Sequence, residues 1–380
     1  LNHLGRLPEI AGGVTGWNAA VTVPIETRPY TGDPWLRTLV GLVAVLATLG
    51  ALYVGSFVFA PVACAMFVVA MLWPVQRWLQ SSLPTMLALA IVMSIAVVVF
   101  LLFGSLIAWG FSRVARNLIA ETDRFRLIYD NAIAWLEGHG IAVAALWAEH
   151  FNVGWVIRTV QGVTGRVNTT ITFWLIVFTY VMLGLLEVGD FRRRIHSLGN
   201  REVARVLLDG SVETAAKLRR YMVIRTLMSV ATGLMVWALA WFAGLQLAAE
   251  WGVIAFALNY IPFIGPFIAT LFPTLYALAQ FASWETALVV FASLNVIQFV
   301  IGSYVEPRVS GKALSISPSV VLFAVFFWTF LWGLFGAFIG VPITIALLVF
   351  CAQHPSSRWL AEIFGATDDK PALVHKEPRP

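Results

Sequence analysis

Of 380 residues, 59% are hydrophobic and only 12% are charged, and the formal net charge is +5. A water-soluble globular chain carries roughly 25% charged residues, so a mean hydropathy of +0.83 excludes an ordinary soluble fold. The basic excess then reads as arginine in the loops of a membrane protein, not as a nucleic-acid surface.

Residues 1–34 are polar and rich in glycine and proline, without a basic-then-apolar leader pattern, and read as a cytoplasmic tail. Residues 35–110 hold three transmembrane helices. Thr38–Val75 is free of charge and would run about 57 Å as one helix, so it is two spans, with a break expected near Gly55-Ser56 and Ala60-Pro61. Pro84–Gly110 is the third. Residues 111–168 form a long connection with apolar residues near helical spacing, among them Val114, Leu118, Phe125 and Ile128, interrupted at Gly138-His139-Gly140. This pattern predicts amphipathic helices that lie on the membrane or cover a neighbouring subunit. Residues 169–245 carry the fourth span, Thr169–Leu186, then a charged helix, Arg201–Arg220, then the fifth span, Met222–Leu245.

Residues 246–352 stand out. Trp251–Trp284 and Val320–Cys351 are both uncharged and too long for one ordinary span, at about 51 and 48 Å as helices. Each is interrupted near its middle, the first by Pro262-Phe263-Ile264-Gly265-Pro266 and the second by Gly333, Gly336 and Gly340-Val341-Pro342. Proline removes an N–H and clashes with the preceding turn. The freed backbone groups cannot face lipid. Interrupted hydrophobic segments of this kind point to a transporter's solute site. Between them Ala287–Tyr304 is a single span. The expectation is an all-α polytopic membrane protein of about eight hydrophobic elements: six single spans and two re-entrant hairpins that enter from opposite faces. Residues 353–380 form a second cytoplasmic tail. With both termini inside, most of the 25 basic residues, including the block Arg192 to Arg225, fall on the cytoplasmic side.

The segment from Asn295 to Pro342 reads Gln298, Tyr304-Val305-Glu306-Pro307-Arg308-Val309-Ser310-Gly311-Lys312, Ser317-Pro318, Phe327-Trp328, Trp332-Gly333, Gly336 and Gly340-Val341-Pro342. Together with the Pro262–Pro266 stretch it resembles the signature of the autoinducer-2 exporter (AI-2E) family. The resemblance implies an inner-membrane permease. In that family, export of autoinducer-2 and sodium/proton antiport are both described, as are oligomers that include pentamers. The implied partners are a small polar solute, sodium ions or protons, the lipid bilayer and further copies of the chain; no cofactor is implied.

The expected solute-binding positions are Asn259, Pro262, Gly265, Pro266, Gln298, Gly340 and Pro342. Asn259 stands beside the first break and Gln298 lies in a span. Glu306, Arg308 and Lys312, at the end of that span, are the candidate gate or ion-coupling group. Glu306 and Arg308 flank Pro307 and read either as a coupling pair or as a helix-end salt bridge. Gly265, Gly333, Gly336 and Gly340 are expected to allow close backbone packing. Glu250 and Glu285 are expected to face water. No ionisable residue is placed at the centre of a single span, which counts against a carboxylate-driven antiporter. Cys64 and Cys351 lack metal-site spacing, and no His-Glu-x-x-His or phosphate-binding loop occurs, so enzymatic and ATP-driven readings fall away.

Overall fold

The computed structural model describes residues 34–120, 134, 137–138, 167–310 and 316–365. Among these the chain is almost entirely helical, with one isolated bridge between Ile316 and Gly365. Eight helices are long and apolar enough to cross a membrane. The contacts divide the chain into two units, one ending at Ala51 and the other beginning at Leu52. The described part of the first unit belongs to α1 (Pro34–Val54), which exposes apolar side chains all round, a surface suited to lipid.

In the second unit α2 (Ser56–Leu79) starts directly after Gly55. The expected break therefore falls at Gly55-Ser56, and Pro61 and Pro74 sit within α2. Helix α3 (Thr85–Ala120) runs ten residues past Gly110, into what the sequence reading assigned to the connection. Most of the rest of that connection lies outside the described residues. Helix α4 is Val167–His196. The charged segment and the fifth span are one uninterrupted helix, α5 (Arg201–Phe242), of 42 residues. Its first turn is capped by Asn200, whose side chain accepts from the Glu202 and Val203 N–H groups.

Both broken elements fold back on themselves. The first consists of α6 (Ala248–Leu258) and α7 (Ile264–Phe281). The rings of Trp251 and Tyr276 pack at a tilt with centroids 5.5 Å apart, while a Cβ on Gly265 would stand 1.8 Å from the Leu258 carbonyl oxygen. Contacts at both 251/276 and 258/265 require antiparallel arms. The second element, α9 (Pro318–Gln353), is broken by non-helical backbone at Trp332 and Gly333. A Cβ on Gly336 would meet the Trp328 carbonyl oxygen at 1.8 Å, and one on Gly340 would meet Trp328 Cβ at 2.9 Å and the Ala324 carbonyl at 3.1 Å. In a straight helix residues 324 and 340 would be about 24 Å apart. The chain has therefore reversed. The first arms are short, about 16 Å for α6 and about 21 Å for Pro318–Leu331, against a hydrocarbon core of ~30 Å.

Between the hairpins lies α8 (Trp284–Phe299), capped by Ser283 and continued through a π-helical turn, Val300–Val305, and a last helical turn, Glu306–Ser310. A short helix, α10 (Arg358–Phe364), follows α9.

Helix α5 is the common support. Gly233 and Gly252 bring α5 and α6 into backbone contact; a Cβ on either would stand 2.8 Å from the other's carbonyl oxygen. The first hairpin's base lies at one end of α5, where Gln280 Nε2 donates to the Gly244 carbonyl at 2.8 Å. The second hairpin's base lies near the other end, where Gln353 donates to Glu213 at 2.7 Å and Phe350 packs on Gly210. Helices α2, α3 and α4 meet the second hairpin in one apolar cluster that includes Cys64, Val92, Val181 and Trp328.

Gly333 has open space around it, unlike the other three hairpin glycines; its φ of +61° and ψ of −142° are what require glycine. Gly336→Ala is expected to cost about 1–3 kcal/mol or more by wedging the second hairpin apart. Gly41→Ala, where nothing lies within 4 Å, is expected to be neutral. Thermal unfolding of the two purified variants checks this.

Candidate functional site

Four buried residues mark one face of α5: Tyr221, Arg225, Ser229 and Thr232. Their spacing of four, four and three residues keeps them in a single stripe. The first hairpin's tip supplies the facing groups. Asn259 is buried and donates through Nδ2 to Ser229 Oγ at 3.3 Å. The Tyr260 hydroxyl donates to Thr226 Oγ1 at 3.1 Å.

The tip itself is a tight turn. The Ile264 N–H donates to the Pro262 carbonyl at 2.7 Å, with Phe263 between them at φ +63° and ψ −54°. This is the rare, strained form of the γ-turn, and Phe263 holds it without being glycine. Such strain concentrates at functional sites. Pro262 is buried in the turn, and Pro266 lies in the first turn of α7, its carbonyl accepting from Thr270. Ile261 and Ile264 join a cluster with Leu218 and Tyr221 of α5 and with Val325, Ala337 and Val341 of the second hairpin. The two hairpins thus converge on the same part of α5, from opposite ends.

Helix α8 completes the site. Arg225, with a side chain only 7% exposed, reaches both carboxylate oxygens of Glu306 through Nη1, at 3.1 and 3.3 Å. The expected Glu306–Arg308 pair is not formed. Arg308 instead lies over the Tyr304 ring, 4.0 Å from its centroid. Glu306 and Arg308 share one helical turn, and residues two apart on a helix do not face each other. Sequence reading placed Arg225 in the block of topology arginines and missed it as a site residue. The available signal was its position three residues inside the apolar run that starts at Met222.

Gln298 lies two turns above Glu306 on α8. Helix α5 runs antiparallel to α6, α6 to α7 and α7 to α8, so α8 is antiparallel to α5. The Arg225–Glu306 pair then sets Gln298 near the level of Thr232. Gln298 Nε2 and Thr232 Oγ1 are both buried without a partner among the described residues. Gly340 and Pro342 are buried in the second arm of the other hairpin, where the Gly340 carbonyl accepts from Thr344 at 2.8 Å and Thr344 Oγ1 accepts from Trp328 Nε1 at 3.3 Å. Of the expected residues, Asn259 and Glu306 meet the stripe, Gln298 lies near its level, Pro262, Gly265 and Pro266 build the first tip, and Gly340 and Pro342 pack the second hairpin. Lys312 lies outside the described residues.

A second polar group ties the first hairpin's base to α3. Arg113 pairs with Glu250 at 3.2 Å, and Glu250 is buried rather than facing water. The Tyr276 hydroxyl donates to Asn117 Oδ1 at 2.8 Å and lies 3.0 Å from the Gln246 side-chain amide. Glu285 is exposed in the first turn of α8, where a negative charge is favourable. Among the described residues no three His, Cys, Asp or Glu side chains are grouped to hold a metal ion.

The sequence is similar to those of known transport proteins. The family model described as AI-2E family transporter matches residues 42–355. The chain is 28% identical to the AI-2 transport protein TqsA of Escherichia coli (strain K12) over 309 residues, 80% of this chain and 88% of that one. It is 30% identical to the putative transport protein YhhT of the same organism over 57% of this chain and 61% of that one. It is 23% identical to a putative transport protein of Haemophilus influenzae over 88% and 97%.

A double-mutant cycle tests the charge pairing. Arg225→Ala and Glu306→Ala are expected to couple by about 1–3 kcal/mol in thermal or denaturant unfolding, while Arg308→Ala and Glu306→Ala should be additive within about 0.5 kcal/mol.

Proposed function

The chain belongs to the AI-2E family of transporters, and from that premise we propose that it moves a small polar, hydroxylated solute across the bacterial inner membrane by alternating access. It is a multi-pass bacterial membrane protein, and its family membership supports transport rather than catalysis. The observation that carries the finer reading is the convergence of two oppositely based helical hairpins on one buried polar stripe of α5. In this reading the hairpins are re-entrant and both termini are cytoplasmic. The solute passes between the first tip and the second hairpin, in contact with Asn259, Ser229, Thr232 and Gln298.

The chemistry of the stripe supports a hydroxylated solute. Asn259, Ser229, Thr232 and Gln298 offer both donors and acceptors, and two of the buried atoms lack a partner. A ligand that satisfies such atoms gains more than one that leaves them bare. The protein named for AI-2 transport among the relatives makes autoinducer-2 the first solute to try.

Purified protein in proteoliposomes loaded with autoinducer-2 is expected to release it faster than protein-free vesicles. Asn259→Ala is expected to slow release about tenfold, the loss of roughly one buried hydrogen bond in the path. Gly265→Leu, whose side chain has no room against Leu258, is expected to abolish it while the chain still inserts in the membrane. Undiminished release from the Gly265→Leu variant would remove the first tip from the path. Proton movement driven by a sodium gradient, with no organic solute present, would replace the exporter reading with cation/proton antiport.

A further inference from the structure

Arg225 has more hydrogen-bonding capacity than the protein uses. A single nitrogen, Nη1, serves both oxygens of Glu306, and the Nε N–H is buried without an acceptor among the described residues. A guanidinium makes its strongest contacts as a two-pronged fork on a planar anion. Glu306 takes only one prong and leaves the Nε edge bare. Native proteins rarely leave a buried donor unpaired, and such an atom calls for a partner. Glu306, in contrast, is 33% exposed, so one side of the pair is open to solvent.

We propose that Arg225 is the receptor for the carboxylate of a small hydroxylated monoanion, and that each anion crosses with one proton carried on Glu306. The inference rests on reading the cleft as the solute path, and adds the solute's charge and its coupling. Charge balance leads to it. At rest the Arg225–Glu306 pair sums to zero. A carboxylate that occupies the fork displaces Glu306 and leaves two negative charges against one positive at the end of an apolar span. Uncompensated charge there is costly. One proton taken up by Glu306 from the water it faces restores neutrality. The contact to Arg225 breaks, an O–H bond forms on the carboxylate, and nothing is oxidised or reduced. Release of the anion on the far side returns the proton to water and restores the pair.

The neighbouring groups leave this role to Glu306. From α5 the phenol of Tyr221 is buried beside the pair. From the first tip Tyr260 is engaged with Thr226, and Arg308, on the same helix as Glu306, lies over Tyr304. A carboxylate in the fork places the hydroxyls of its own short chain toward Ser229 and Asn259, one helical turn further along α5.

The test uses D-glycerate, a hydroxylated monocarboxylate, with full-length protein in proteoliposomes that contain a pH dye. An inward D-glycerate gradient is expected to acidify the lumen faster than in protein-free vesicles, and glycerol is expected to leave the pH unchanged. In Glu306→Gln the excess acidification is expected to vanish while exchange of labelled against unlabelled D-glycerate stays within tenfold of wild type, because glutamine mimics the protonated acid. Arg225→Gln is expected to lose exchange, and Arg225→Lys, which keeps the charge but not the fork, to lose at least tenfold while still folded by size-exclusion chromatography. Persistent acidification in Glu306→Gln, lost exchange in that variant, or undiminished exchange in Arg225→Lys would overturn the proposal. If wild-type protein ignores D-glycerate but carries autoinducer-2, this inference falls and the solute path stands. If it carries neither, both fall.

Discussion

Lipid offers no hydrogen bonds, and the architecture of the second unit follows from that constraint. A helix interrupted in a membrane frees backbone N–H and C=O groups that only protein or enclosed water can satisfy. Pro262 to Pro266 and Trp332 to Gly333 are such interruptions; the first is largely buried, and in the second Trp332 is buried while Gly333 is exposed. The first is closed by its own γ-turn hydrogen bond and by the Gly265 N–H donating to the Ile261 carbonyl at 3.0 Å. The second is folded so that its glycines press against the backbone of the arm before it. A long helix, α5, is needed to receive them, and its 42 residues reach about 63 Å. That is enough to support the base of one hairpin at each end, with the first tip and the arms of the second hairpin meeting between.

Close packing then decides which parts can move. Glycine-mediated backbone contacts within each hairpin, and between α5 and α6, leave no room even for a methyl group. Such contacts behave as rigid units. The first tip, by comparison, meets the arms of the second hairpin through aliphatic side chains, Ile261 and Ile264 against Val325, Ala337 and Val341, which can separate without breaking a hydrogen bond. The clamp of Arg113 on Glu250 and of Asn117 on Tyr276 holds the first hairpin's base to α3.

Much of this was legible in the sequence because hydropathy and proline placement act locally. The six spans, the two broken elements, and Asn259 and Gly265 at the first break follow from run length, missing N–H groups and side-chain size. Residues set by tertiary register were not legible. Arg225 looks like one more topology arginine until α8 is laid beside α5. Glu306 looks like the partner of Arg308 until both are placed on one helical turn, where residues two apart do not face each other. Glu250 sits next to an apolar run and reads as a boundary charge, but the extension of α3 brings Arg113 to it. Gly333 differs from its neighbours only in φ and ψ, which the sequence does not display.

The buried pair also explains how an arginine is tolerated within an apolar run. Alone, Arg225 would favour a water-filled or interfacial position. Glu306 neutralises it, and the partial exposure of Glu306 keeps one charge close to solvent, so the desolvation of the pair falls mostly on the arginine. A fully buried, fork-to-fork pair would satisfy both partners better and would be harder to open. The arrangement seen here, with one nitrogen shared and one N–H unused, is a weaker lock on the same two charges. In a scaffold whose glycine contacts are otherwise tight, a lock of that kind is useful where the contact must open repeatedly, and it lies where the first hairpin's tip and α8 meet the same face of α5.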